Sequence, residues 1–325
     1  MAPQAGRGPS ASSEHPCHTK GAQGNFGEAQ TSVDLEHHLT AHSPYLQGRY
    51  HVPHLHSHEE IETLTSELES ALSAAMKAGE VLRAGFGAEH AITYKGEVDF
   101  VTEVDKEAER VIREELLGTF PAHGMLAEEG GELAGEGDAR WIVDPLDGTT
   151  NYAHGLPIFC VSVALEREAE GVVLGVVHDP MREETFIAER GRGATLNGRP
   201  ISVSDTDEPI RALIATDFPY DRERMPEVLE LFGRFSALSR GMRRLGAAAL
   251  DLCYVAAGRL DGYYMRGVRP WDLAAGSLIV REAGGKLTDY RGEELALDGG
   301  EIVASNRRLH SAMTRLTGED GQRTP

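Results

Sequence analysis

Asp144 and Asp147 stand three residues apart in Trp141-Ile142-Val143-Asp144-Pro145-Leu146-Asp147-Gly148-Thr149-Thr150-Asn151-Tyr152. Two carboxylates at that spacing, delivered by a stiff apolar strand into a loop, suit a hard cation that takes oxygen ligands. The Gly148-Thr149-Thr150 turn beside them offers backbone N–H groups and hydroxyls, which suit a phosphate oxyanion and could open a helix. Cation ligands and an anion cradle in one loop are the parts of metal-assisted phosphoester hydrolysis. Taken alone, the same residues also make an ordinary strand running into a turn, because Asp, Pro, Gly and Thr all favour turns.

Other segments carry further candidates. Val268-Arg269-Pro270-Trp271-Asp272-Leu273-Ala274-Ala275-Gly276-Ser277 reads as a helix start, with Leu273, Ala274, Leu278, Ile279 and Ala283 as its buried side. Asp272 is either a capping acid in the first turn or the third carboxylate that a two-cation site needs. Gly124-Met125-Leu126-Ala127 reads as a short strand running out into Glu128-Glu129-Gly130. Thr102 reads as a helix N-cap that puts Asp105 in the first turn. Lys95 lies near the same stretch and reads as a solvated surface lysine. Asp251, in Gly246-Ala247-Ala248-Ala249-Leu250-Asp251, reads by itself as a helix-surface acid.

The Asp-Pro-Leu-Asp-Gly-Thr-Thr-Asn string and the Trp271-Asp272-Leu273-Ala274-Ala275 segment together resemble the signatures of the inositol monophosphatase family, within the lithium-sensitive, magnesium-dependent phosphatase superfamily. The resemblance spans residues 60–317. It implies a layered αβαβα sandwich, of the inositol monophosphatase and fructose-1,6-bisphosphatase type, with the active site between two halves and usually a homodimer. It implies two to three Mg²⁺ ions, with Mn²⁺ as a substitute. Glu128, Asp144 and the Leu146 carbonyl would hold the first, and Asp144, Asp147 and Asp272 the second; a weaker third would share Glu128. Thr149, paired with Asp105, would take the proton of the attacking water, and the Gly148 and Thr149 amides would hold the phosphate. Lys95 would sit near the phosphate or a metal-loading loop, and Asp251 falls where the family's substrate pocket forms.

Two departures from the family pattern matter. Ala127 stands where Gly is usual before Glu128, a small change. Met265 stands where members acting on inositol typically carry a Glu that contacts ring hydroxyls. Methionine accepts only weak hydrogen bonds, and losing such a partner costs about 1–3 kcal/mol. The adjacent Arg266 either meets a second anionic group or points to solvent. Hydrolysis of inositol monophosphate or a related small sugar phosphate is therefore the leading expectation. A fructose-1,6-bisphosphatase or nucleotide phosphatase of the same fold comes second. A non-catalytic regulatory binding protein comes third, since a retired site should have lost ligands.

Composition narrows the partners. Acids outnumber bases 52 to 32, for a formal net charge of −20. Such a chain lacks the cations that nucleic-acid binding needs, and it repels a small phosphorylated metabolite unless cations reverse the local sign. Cys17, Cys160 and Cys253 have no metal-ligand spacing, and Cys160 and Cys253 lie in apolar runs. Buried, reduced thiols point to the cytoplasm. No apolar run is long enough to cross a membrane, and the N-terminus lacks a signal-peptide core. Residues 1–58 hold nine of the 14 histidines in a Gly/Ser/Pro/Gln-rich background. They read as a disordered tail, either metal-sensing or an inert leader; residues 318–325 read likewise.

The elements that must position these groups follow from periodicity. Ile61, Leu64, Leu68, Leu72, Met76, Leu82 and Phe86 predict a long helix to about Gly85, and a second runs over 103–117. Strands at 141–143, 158–166, 172–178 and 184–188 complete an α+β half over 59–208 with an antiparallel sheet. Over 209–317 the rhythm becomes that of an α/β half. Strands are expected at 212–215, 262–265, 286–289 and 301–304, and helices at 226–236, 246–257, 271–283 and 306–316.

Overall fold

The computed structural model describes residues 58–88, 92–94, 100–219 and 221–318. The His-rich stretch 1–57, Cys17, Lys95 and the C-terminal residues 319–325 lie outside the described residues, as does the Thr102 side chain. The first part of the chain is α1 (His58–Gly85), the hairpin β1 (Ile92–Tyr94) and β2 (Phe100–Thr102), then α2 (Glu103–Thr119). There follow β3 (Gly124–Ala127), β4 (Gly131–Leu133), β5 (Ala139–Asp147), the short α3 (Thr149–Ala153), β6 (Cys160–Arg167), β7 (Gly171–Asp179), β8 (Glu184–Glu189), β9 (Ala194–Leu196) and β10 (Arg199–Pro200). Strands β3 to β10 form one eight-stranded sheet, ordered β10-β9-β8-β7-β6-β5-β3-β4. It is antiparallel throughout except where β3 runs parallel to β5.

The second part contributes β11 (Leu213–Thr216), α4 (Met225–Leu238), β12 (Gly241–Arg243), α5 (Ala248–Ala256), β13 (Gly262–Arg266), α6 (Pro270–Glu282), β14 (Lys286–Thr288), β15 (Glu301–Ser305) and α7 (His310–Gly318). Its five-stranded sheet is ordered β12-β11-β13-β15-β14. The first three strands are parallel, and β15 pairs antiparallel with both of its neighbours.

Alternation along the strands sorts the core into layers. Trp141, Val143, Val163 and Val176 face α1 and α2, packing with Ala71, Ala75, Leu82, Ala108 and Ile112. Ile142, Ala164, Val177 and Phe186 face the opposite way, into α5 and α6. Those helices meet the inner face of the second sheet through Tyr263, Ile302 and Ala304. Its outer face, with Ile214, Tyr264 and Val303, is covered by α4 and α7 through Leu231, Phe235, Leu309 and Met313. The result is the layered αβαβα sandwich, and residues from both sheets pack into one compact unit. No helix among the described residues is long and apolar enough to cross a membrane.

Helix α6 departs from the expected one-sided burial. Every residue from Leu273 to Val280 is buried, because the helix is covered on both sides. Small residues allow the approach. A Cβ on Gly175 would lie 2.9 Å from the Ala275 carbonyl oxygen, and one on Gly276 would lie 2.7 Å from Leu252. Strand β5 also runs further than expected. It continues through Asp147 with a register shift between Asp144 and Asp147, so the two acids sit on an irregular strand end rather than in a loop.

Candidate functional site

At the end of β5 a cleft of about 510 Å³ opens between the two sheets. Glu128, Asp144, Leu146, Asp147, Gly148, Thr149, Met265 and Asp272 all line it. Segments more than a hundred residues apart thus bring four carboxylates to one surface.

Backbone donors pin most of these acids. Asp144 Oδ1 accepts from the Leu146 amide at 3.0 Å. Asp147 takes one amide on each oxygen, Ala248 at 3.1 Å and Ala249 at 2.7 Å, from the first turn of α5. Asp272 Oδ2 accepts from the Arg269 amide at 2.7 Å, closing a capping box at the start of α6. Asp272 thus caps its helix and also lines the cleft. The loop carrying Glu128 is tied down by the Glu128 amide to Val143 O, and by buried Glu109, which accepts from the Glu129 and Gly130 amides.

Burial and mutual repulsion leave this cluster out of electrostatic balance. Burial pushes Asp144 well above the ordinary carboxylate range, and Glu128, Asp147 and Asp272 add to the push. Asp147 is raised in the same way, by burial and then by Asp272. Asp272 is pushed up to about 6 by burial, against the opposing Arg269 amide and charge. Buried carboxylates in this state gain from a bound cation, which removes the repulsion and replaces lost solvation. Among the described residues, no three His, Cys, Asp or Glu side chains converge tightly enough to grip an ion as they stand.

Thr149 supplies the hydroxyl. Its Oγ1 lies 3.0 Å from Leu146 O and 3.3 Å from Asp105 Oδ1, so its single proton has two acceptors. Asp105 is buried at the start of α2, where it also serves the helix end. Gly148, at φ +99°, makes the turn between β5 and α3. A Cβ there would lie 2.8 Å from Ile158 O. Gly148→Ala is therefore expected to cost about 3 kcal/mol, combining left-handed strain with overpacking. An unchanged urea midpoint in that variant would refute the assignment of Gly148 as obligatory. Asn151 joins the two parts of the chain, its Nδ2 donating to Ile158 O at 2.8 Å and Leu245 O at 2.7 Å.

Two expected substrate contacts are placed elsewhere. Arg266 does not line the cleft: Met265 and Arg266 are consecutive in β13, so they face opposite sides of the sheet. Arg266 instead pairs with Glu301 at 2.9 Å and Glu227 at 3.4 Å, and stacks over Tyr290. Asp251 is neither on the surface nor in the cleft. It is wholly buried in α5, and its carboxyl faces that of Asp217. Burial, then Asp217, holds Asp251 well above the usual range, and burial raises Asp217 less strongly, so a proton shared by the pair favours Asp251.

Asp217 itself lines the cleft, as do Phe218, Arg244 and Trp271, and sequence reasoning passed over it. One signal was available. Asp217 directly follows β11, and open α/β sheets bind ligands beyond the carboxyl ends of their parallel strands.

A five-layer αβαβα sandwich thus gathers acids of both parts around one threonine-bearing turn. The model of the inositol monophosphatase family matches residues 64–321. An inositol-1-monophosphatase of Rhizobium meliloti is 44% identical over 253 residues, covering 75% of this chain and 93% of that protein. The Nus factor SuhB of Escherichia coli K12 is 44% identical over 250 residues, covering 76% of this chain and 93% of its own. Among solved structures, the inositol monophosphatase of Anabaena superposes with a TM-score of 0.71 at 41% identity, covering 79% of this chain and 97% of that one. The suhB protein of Bartonella henselae gives 0.75 at 41%, with 78% and 98% covered. The chain belongs to the inositol monophosphatase family.

Proposed function

We propose that this cleft hydrolyses the phosphate monoester of inositol or a closely related small polyol, with Mg²⁺ as cofactor. The observation that carries the reading is the meeting of Glu128, Asp144, Asp147 and Asp272 around the Thr149 turn in one cleft. The donors fit a hard divalent cation, being all oxygen and charge-unbalanced by burial. Glu128, Asp144 and the Leu146 carbonyl would hold one ion, Asp144, Asp147 and Asp272 a second, and Glu128 would share a weaker third. When bound, these ions supply Lewis-acid polarisation of the phosphoryl oxygens and of the attacking water.

The chain's own groups do the rest. Thr149 Oγ1 accepts the proton of the attacking water while passing its own to Asp105. The amides of Gly148 and Thr149 hold the phosphoryl oxygens. The wall formed by Met265, Trp271 and Asp217 encloses the alcohol half of the ester. Relatives named inositol-1-monophosphatase support the substrate class. The bisphosphatase alternative drew on Met265 and Arg266 together, and with the Arg266 guanidinium held by Glu227 and Glu301 it loses the second of these supports.

Phosphate release from inositol 1-phosphate, with and without Mg²⁺, tests the reading. Turnover only with the ion is expected; equal turnover in a chelator would overturn the cofactor assignment.

The carboxylates also predict how cation binding depends on pH. Asp272 has a folded pKa of about 6, above its ordinary 3.8. Without a cation, its contribution to stability is full below 3.8 and lost as pH rises through about 6. Mg²⁺ competes with that proton, so its benefit runs the opposite way. Saturating Mg²⁺ should raise Tm by about 5–10 °C at neutral pH, and the gain should fade as pH drops through about 6. A Mg²⁺ shift that persists undiminished at acid pH would place the ion away from these carboxylates.

A further inference from the structure

We propose that Asp217 is the group by which this chain recognises the alcohol half of its substrate. Its carboxylate accepts hydrogen bonds from the hydroxyls of a polyol monophosphate, the task that Met265 cannot perform. This rests on the phosphomonoesterase reading above and adds the specificity determinant to it.

The sheet register brings the two residues together. Strands β11 and β13 are parallel neighbours, and Thr216 pairs with Tyr264. The next residues, Asp217 and Met265, therefore stand side by side at the carboxyl edge of the sheet, and both line the cleft. Methionine there presents a thioether, a weak acceptor, and the Tyr263 hydroxyl already sits 3.0 Å from its Sδ.

Asp217 is built to be held as an acceptor. It is only 7% exposed. The Gly246 amide donates to Oδ1 at 3.0 Å, and Gly246 is in turn fixed by the Asn151 clamp. Tyr263 reaches Oδ2 only at 3.5 Å. Behind it, Asp251 is wholly buried and, among the described residues, meets no N–H or O–H donor at either oxygen. A proton on Asp251, which burial favours, would be donated to the facing Asp217 carboxylate. A carboxylate offers about four acceptor directions. The amide, the long tyrosine contact and the Asp251 proton leave at least one of them for the cleft.

An almost buried anion with unused acceptor capacity favours a ligand that brings O–H donors, and disfavours a second phosphate at the same depth. The cation on this wall, Arg244, is exposed and stacked over Phe218 at 5.1 Å from the ring centre. It sits where a bulkier or doubly charged ester would have to extend.

The test is selectivity, measured on the full chain with Mg²⁺. The readout is kcat/KM for inositol 1-phosphate divided by kcat/KM for phenyl phosphate, whose leaving group carries no further hydroxyl. Asp217→Asn retains an acceptor for the Gly246 amide, and its melting temperature checks that it folds. The ratio should fall about tenfold, mainly through KM for the polyol ester, as expected when one charged hydrogen-bond partner is removed. Met265→Glu in the Asp217→Asn background should restore the ratio, which a merely structural role for Asp217 would not predict.

An unchanged ratio in Asp217→Asn, or equal losses on both esters, overturns the assignment while leaving the polyol reading intact. A wild-type preference for fructose 1,6-bisphosphate overturns it in favour of Arg244. A wild-type chain that cleaves phenyl phosphate but no polyol ester removes the polyol reading, and this assignment with it.

Discussion

Asp147→Asn is expected to lower Mg²⁺-dependent phosphate release by about a thousandfold while the protein stays folded. The side chain is buried, lines the cleft with Asp144 and Asp272, and is held by two amides of α5. Asparagine preserves the shape but removes the charge on which cation binding depends. A Lewis acid contributes several kcal/mol to such a transition state, and losing about 4 kcal/mol corresponds to three decades in rate. Two opposing effects set the stability. One amide loses its acceptor, which costs about 1–3 kcal/mol, while the repulsion that raises Asp147 and Asp144 is relieved. The melting temperature without cation should therefore move little, and the Mg²⁺ shift should collapse. Near-normal Mg²⁺-dependent turnover in this variant would show that Asp147 is no ligand.

Thr149→Val should reduce kcat by about 10²–10⁴-fold, the range for loss of a positioned proton-transfer group. Valine matches threonine in shape, so KM should change far less than kcat. The lost contacts are those to Leu146 O at 3.0 Å and Asp105 Oδ1 at 3.3 Å. Their loss should cost about 1 kcal/mol of stability. Asp105→Asn is the companion variant. It retains a hydrogen-bond partner for Thr149 but cannot store the proton, so its kcat should fall while its melting temperature holds. If Thr149→Val kept more than a tenth of wild-type kcat, the proton would have to leave the attacking water by another route.

Much of the scaffold is legible in the chain because it follows from local pattern. The periodic apolar residues from Ile61 to Leu82 lie in α1, which ends at Gly85 as expected, with Phe86 just beyond it. The apolar runs after residue 158 become β6, β7 and β8, joined by short turns such as that at Gly171. Short strands at or beside the sheet edges carry less signal. β9, β10 and β12 are two or three residues long and carry no periodicity of their own, so pairing alone defines them.

The candidate site divides in the same way. Asp144, Asp147, Gly148 and Thr149 are adjacent in sequence, so the strand-to-turn chemistry that makes them useful is visible there, and Asp272 announces itself through the helix start at Pro270. The alcohol-binding wall had no such local signal. Whether Met265 or Arg266 faced the cleft depended on which face of β13 the layers would bury. Composition could not settle that, because α4 and α7 cover one face while α5 and α6 cover the other.

The sequence by itself thus determined the nature of the chemistry, through acids and small residues whose spacing local geometry makes meaningful. Only the tertiary structure decided the surroundings. It turned Arg266 away into ion pairs, sank Asp251 into α5, and set Asp217 beside Met265 through the register of two strands 48 residues apart. The physical reason is that side-chain direction in a strand reverses at every residue. A neighbour across a sheet is chosen by long-range pairing, and no short window of sequence contains that choice.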